Sequence, residues 1–107
     1  MFNVILHEDV PEEIARLPSA VRARIIRLID KLTLNATALR EPDSKPLGGG
    51  LFEIRTMGTD IARGLYVYQK GKNILLLRVF IKRTQKVPPV EIKLAFARLE
   101  EMLNEKD

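Results

Sequence analysis

Ile61-Ala62-Arg63-Gly64-Leu65-Tyr66-Val67-Tyr68-Gln69-Lys70-Gly71-Lys72-Asn73-Ile74-Leu75-Leu76-Leu77-Arg78-Val79-Phe80-Ile81 reads as two strands folded back on each other. Lys70-Gly71-Lys72-Asn73 supplies the glycine that a tight reversal favours. Residues 74–81 are apolar apart from Arg78, which fits a central strand covered on both faces. Upstream, residues 51–56 alternate Phe52 and Ile54 against Glu53 and Arg55, and Met57-Gly58-Thr59-Asp60 turns the chain into Ile61. Connections this short exclude parallel crossovers, so the three strands form an antiparallel meander.

Outward from the meander the pattern becomes helical. Residues 2–6 form a short first strand, apolar enough to lie inside a sheet. Asp9 is placed to cap a helix opening Val10-Pro11-Glu12-Glu13, with acids at the positive end of its dipole. Leu17-Pro18-Ser19 interrupts that helix, and Ser19 can cap a second. There Val21, Ile25, Leu28, Ile29 and Leu32 recur at helical spacing, while Arg22, Arg24, Arg27 and Lys31 fall mostly elsewhere as a wet basic flank. The two helices read as a hairpin covering the sheet. From Arg40 to Gly50, Pro42, Pro46 and three consecutive glycines leave no period, so this stretch reads as a loop with a flexible lead into the next strand. It lacks the Lys and Ser/Thr spacing of a phosphate-binding P-loop. Pro88-Pro89 opens a last helix through Leu103, with Ile92, Phe96, Leu99 and Leu103 on one stripe and Lys93, Arg98 and Glu101 off it. The order β-α-α-β-β-β-α predicts an α+β domain spanning residues 1–107, with a helical hairpin and a C-terminal helix on a small, mainly antiparallel sheet.

Composition narrows the chemistry. The 107 residues are 46% hydrophobic and 30% charged, an ordinary globular balance. With no cysteine there is no disulfide framework, thiolate zinc site or Cys nucleophile. The single histidine, His7, is too little for a His-based metal site or a Ser-His-Asp arrangement, and reads as a surface or capping residue. No metal or cofactor is expected. The longest apolar run is far short of the roughly 20 residues of a membrane span, and the N-terminus turns acidic too early for a signal peptide. A cytoplasmic protein without a membrane partner is expected.

The net charge of +4 is unevenly placed. Residues 53–86 hold eight bases against two acids, a local +6 that leaves −2 elsewhere and points to an anionic partner. Arg63, between Ala62 and Gly64 in a meander strand, needs either an ion pair with Glu53 or Asp60 or an anionic ligand. With Arg55 on the adjacent strand it presents two guanidiniums suited to phosphates. Lys82, Arg83 and Lys86 leave the last strand as a dense basic group that can complete a phosphate-binding basin. Such a basin suits RNA cleavage in which the substrate's own 2′-hydroxyl attacks the neighbouring phosphorus. The protein then supplies charge stabilisation, a base and an acid. Tyr66 and Tyr68 share a strand face and serve either base stacking, proton transfer or core packing.

Three stretches carry a family resemblance. Lys45-Pro46-Leu47-Gly48-Gly49-Gly50-Leu51-Phe52-Glu53-Ile54-Arg55, Arg63-Gly64-Leu65-Tyr66 and Phe80-Ile81-Lys82-Arg83-Thr84-Gln85-Lys86-Val87-Pro88 together resemble the RelE-like toxin superfamily, in particular its HigB-like, phage-associated branch. That resemblance implies a toxin of a type II toxin–antitoxin pair: a ribosome-dependent mRNA endonuclease held inactive by an antitoxin that often carries a helix-turn-helix domain. By position it makes Arg63, Arg83, Lys82 and Lys86 the catalytic candidates, with Arg63 and Arg83 stabilising the transition state and Lys82 or Lys86 as base. RNA contact is assigned to Arg55, Tyr66 and Arg78. Several relatives carry a late Tyr or His as acid or base, whereas here Pro88 and Pro89 follow and no Tyr comes after Tyr68. The superfamily also holds gyrase-poisoning toxins, so a non-nuclease binding protein or an inactive phage-derived remnant is the competing reading.

Overall fold

The computed structural model describes residues 1–58, 60–82 and 85–105. Strand β1 (Asn3–Leu6) leads to helix α1 (Val10–Ala15) and helix α2 (Ser19–Asn35). A 3-10 turn at Ala36–Ala38 precedes four successive strands, β2 (Ser44–Gly48), β3 (Leu51–Arg55), β4 (Ile61–Gln69) and β5 (Asn73–Lys82). Helix α3 (Pro89–Asn104) follows. The strands form one sheet in the order β1-β5-β4-β3-β2, antiparallel throughout except for the parallel β1–β5 pair. The expected α+β class holds.

The sheet is the middle layer. Ile54, Ala62, Tyr66, Ile74, Leu76 and Val79 pack with Val21, Ile25, Leu28 and Leu32 of α2 on one face. Leu51, Leu65, Val67, Leu75, Leu77 and Phe80 pack with Ala95, Ile92 and Leu99 of α3 on the other. Each fully buried Leu or Ile contributes roughly 1.5–3 kcal/mol of burial free energy, so α2 and α3 are both anchored by the strand alternation that divides the two sets.

Four sequence expectations are corrected. Residues 44–48 are a strand, not a loop: β2 pairs with β3 from Ser44↔Ile54 to Gly48↔Leu51. It is an edge strand, the place where a sheet accepts a proline such as Pro46. Gly48, Gly49 and Gly50 all have positive φ (101°, 64° and 85°) and form the tight β2–β3 reversal rather than a flexible lead. β1 lies at the opposite edge instead of inside the sheet. Helix α3 buries Ala95 and Arg98 and leaves Phe96 and Leu103 partly exposed, so its inner stripe is rotated from the expected one. His7 is buried: its Nδ1 accepts the Asp9 amide at 3.1 Å, which makes Nε2 the nitrogen that donates to Glu101 Oε1 at 3.0 Å. Of the Met57–Asp60 turn, Thr59 lies outside the described residues.

Arg98 is buried because it repairs a break in β5. Leu65 pairs with Arg78 but Tyr66 pairs with Leu76, so Leu77 is an extra residue, a β-bulge. Arg98 Nη1 donates to the Leu77 carbonyl at 2.9 Å, and Glu13 Oε1 accepts the Val79 amide at 3.0 Å. Glu13 Oε2 receives Nη1 of Arg78 and Nη1 of Arg98, each at 2.8 Å. Arg78 also donates Nε to Glu91 at 2.8 Å, so one network ties α1 and α3 to the bulge. Removing one member of such a buried set leaves uncompensated charge, at a cost of about 3–5 kcal/mol. Glu13→Ala should lower unfolding free energy by about that amount in urea titration, with Glu13→Gln losing less because an acceptor for Val79 remains. Equal stability of both variants and wild type would contradict the role given to Glu13.

Candidate functional site

The bulge decides which face the end of β5 presents. Successive residues of a strand alternate between faces, and one inserted residue inverts everything beyond it. Past Leu77 the register runs Arg63↔Phe80 and Ile61↔Lys82. Lys82 therefore lies on the α3 side of the sheet, diagonal to Arg63, whereas an unbulged strand would turn it to the α2 side. On β3, Glu53 occupies the same face, and Lys45 of β2 pairs with it.

Arg63 and Glu53 form a buried ion pair, with Arg63 Nη1 at 3.4 and 3.2 Å from the two carboxylate oxygens. Their side chains are 2% and 0% exposed, so the carboxylate holds the guanidinium in one place. The ion-pair alternative read from the sequence is what the fold contains. Arg63 also lines a cleft of about 180 Å³ with Lys45, Leu47, Gln85, Lys86, Val87 and Ile92, where β2 and β4 meet the start of α3. Lys45, Arg63 and Lys86 bring three cations to its walls. Lys82 is buried behind Arg63 and its Nζ makes no hydrogen bond among the described residues. Burial pushes the Lys82 amine below its ordinary value of 10.5, and the neighbouring Arg63 pushes it further, with Glu53 opposing. The set thus combines fixed positive charge with an amine whose charged form is disfavoured.

Three of the expected site residues are thereby gathered: Arg63 and Lys86 in the cleft, Lys82 beside them. Arg83 lies outside the described residues. The other expected contacts stand apart. Arg55 is the Cα partner of Arg63, yet its Nε donates to the Pro42 carbonyl at 3.1 Å and it lines a different cleft beside α2. Arg78 is the clamp at the bulge, spoken for by Glu13 and Glu91. Tyr66 points to the α2 face, 1% exposed, with its hydroxyl 2.9 Å from Ser44 Oγ and its ring stacked on Phe52 at 5.7 Å. Burial, opposed by the Ser44 hydrogen bond, pushes its phenol up to about 12. Tyr66 is therefore a core residue at the base of an aromatic groove of about 500 Å³, whose rim Tyr68 is partly exposed. Lys45 was missed in the sequence because residues 44–48 carry no strand period; once they are placed on β2, pairing with Glu53 puts Lys45 at the cleft.

The sequence profile described as "Phage derived protein Gp49-like (DUF891)" matches residues 12–100. The chain belongs to this Gp49-like family. Two solved structures share its fold. A chain of the toxin–antitoxin complex RelBE2 from Mycobacterium tuberculosis is 22% identical, with a TM-score of 0.57, and the match covers 76% of this chain and 98% of that one. A chain of the archaeal RelE–RelB complex from Pyrococcus horikoshii OT3 is 24% identical, with a TM-score of 0.60, covering 78% and 98%. The Gp49-like chain has the RelE-like α+β fold. No curated protein is significantly similar to it. Among the described residues, no helix is long and apolar enough to cross a membrane.

The Lys82 shift has a thermodynamic sign. Its folded pKa is below the unfolded one, so at neutral pH the folded state carries a penalty for holding the charged amine. The penalty fades as pH rises through the lowered folded value toward 10.5. Lys82→Met should therefore melt at a higher temperature than wild type at pH 7, with the difference shrinking as pH approaches 10.5. A variant less stable at pH 7 would show that Lys82 is electrostatically satisfied where it sits.

Proposed function

We propose that this Gp49-like protein is the toxin of a type II toxin–antitoxin pair and cleaves mRNA on the ribosome. The observation that carries the reading is the placement of Arg63 and Lys86 in one cleft with Lys82 buried beside Arg63, on a fold shared with chains of two toxin–antitoxin complexes. With Lys45 the cleft is lined by three cations, a concentration of positive charge suited to a phosphodiester.

In the proposed reaction the RNA 2′-oxygen attacks the adjacent phosphorus while the bond from phosphorus to the 5′-oxygen breaks. The 2′-hydroxyl proton passes to the amine of Lys82 in its neutral form, the form that burial and the neighbouring Arg63 favour. The equatorial oxygens of the five-coordinate phosphorane gain negative charge, and Arg63, already oriented by Glu53, stabilises them without reorganising. Lys86, at the exposed mouth, stabilises the same charge or protonates the departing 5′-oxygen. Arg83 is kept as a further stabilising cation by its place in the sequence. By analogy with the RelB partners of the two solved relatives, the expected protein partner is an antitoxin.

Arg63→Ala alone would strand Glu53 in the core, so the test uses variants that keep the fold. Glu53→Leu combined with Arg63→Met removes both charges at similar volume, a change buried pairs often tolerate. On induction in a bacterial host, wild type should arrest growth and produce mRNA ends only on translated messages. The double variant should do neither, and Lys86→Ala should be weakened by roughly 100–1,000-fold, the range for one transition-state contact or proton-transfer group. Full toxicity of the folded double variant would overturn the assignment.

A further inference from the structure

A second cationic cleft lies across the sheet from the first. Arg24, Arg27 and Lys31 stand at helical spacings of three and four residues, so they form one stripe of α2. That stripe, Asp43 and the end of β3 at Arg55, Thr56 and Met57 enclose about 230 Å³. Four cations meet one acid there, and the acid is already matched by Lys31 at 3.6 Å. Arg24, Arg27 and Lys31 are exposed, and Arg27 forms no ion pair among the described residues.

The cations are positioned rather than scattered. Arg24 Nη1 reaches the Met57 carbonyl at 3.4 Å, across Gly58, whose φ is +120°. A Cβ on Gly58 would come within 3.0 Å of that same nitrogen, so the bare glycine makes room for the guanidinium. Arg55 is steadied from below by its Nε bond to Pro42, and its terminal nitrogens hold no partner among the described residues. None of these side chains helps to hold the core, and grouping like charges this closely costs free energy unless an anion occupies the space between them.

We propose that this cleft is a second binding site, for backbone phosphates of the same RNA assembly that the first cleft acts on. The inference rests on the RNA reading above but concerns binding, not chemistry. The second cleft is lined by α2 and the first by the start of α3, which cover opposite faces of the sheet, so an RNA engaging both clefts must pass around the sheet end near Met57. Folded RNA, with phosphates presented on more than one strand, meets that requirement better than a short extended oligonucleotide.

The test measures binding with a probe that cannot be cleaved. A fluorescent, fully 2′-O-methylated RNA hairpin lacks the attacking hydroxyl, and its anisotropy is titrated with full-length protein over a range of salt. Arg24→Glu with Arg27→Glu should weaken binding about tenfold or more and flatten the dependence of log K on log salt by about two, as loss of two phosphate contacts requires. Lys70→Glu with Lys72→Glu, at the far end of the sheet, makes the same change in net charge and should keep the wild-type slope. Equal effects of the two pairs, or no binding by wild type, would overturn the proposal. Groove-dependent binding by a protein that never cleaves RNA would support it while refuting the nuclease reading.

Discussion

The carboxylate of Glu13 holds an irregularity in the central strand on which the rest of the molecule depends. An extra residue in β5 frees a carbonyl at Leu77 and an amide at Val79, and buried backbone groups of this kind must be paired. Glu13 takes the amide, Arg98 takes the carbonyl, and Arg78 joins both to Glu91. Because one carboxylate serves the strand and two guanidiniums, α1, β5 and α3 have a single mutual arrangement. The consequence for the site is a matter of parity. The bulge turns Lys82 toward Arg63 and Glu53; without it the lysine would face α2 and leave the cluster.

Two kinds of arginine therefore coexist in this sheet. Arg78 and Arg98 are consumed by carboxylates and backbone and act as fasteners. Arg63 is oriented by a carboxylate and lines the cleft, the arrangement that the proposed role in charge stabilisation requires. The penalty of burying Lys82 beside it is the kind of local inconsistency a fold retains where function requires it. A chain selected for stability alone would place an apolar residue there.

Much of the fold was legible from period alone. The meander followed from short connections, and the amphipathic spacing of Val21, Ile25, Leu28 and Leu32 placed α2. The misses have specific physical causes. Pro46 and the glycines disguised β2, because edge strands tolerate residues that interior strands reject. The bulge was invisible because residues 74–81 are nearly all apolar, and a strand without alternation has no phase to break. The rotation of α3 depended on Arg98, a charge whose burial is explained only by a carbonyl and a carboxylate distant in sequence. Arg63, Lys82 and Lys86 could be chosen by charge and position, but Arg55, Tyr66 and Arg78 could not be sorted from them without knowing the faces.

The account stands on one reaction: attack by the RNA's own 2′-oxygen, assisted by Lys82 and stabilised by Arg63. The most direct measurement is the chemical identity of the new 3′ ends, read by mass spectrometry of a ribosome-bound message incubated with purified protein. The account predicts ends carrying a 2′,3′-cyclic phosphate, or the 3′-phosphate formed by its hydrolysis, and their disappearance with Lys82→Met. Ends bearing a free 3′-hydroxyl, or undiminished cleavage by that variant, would contradict it.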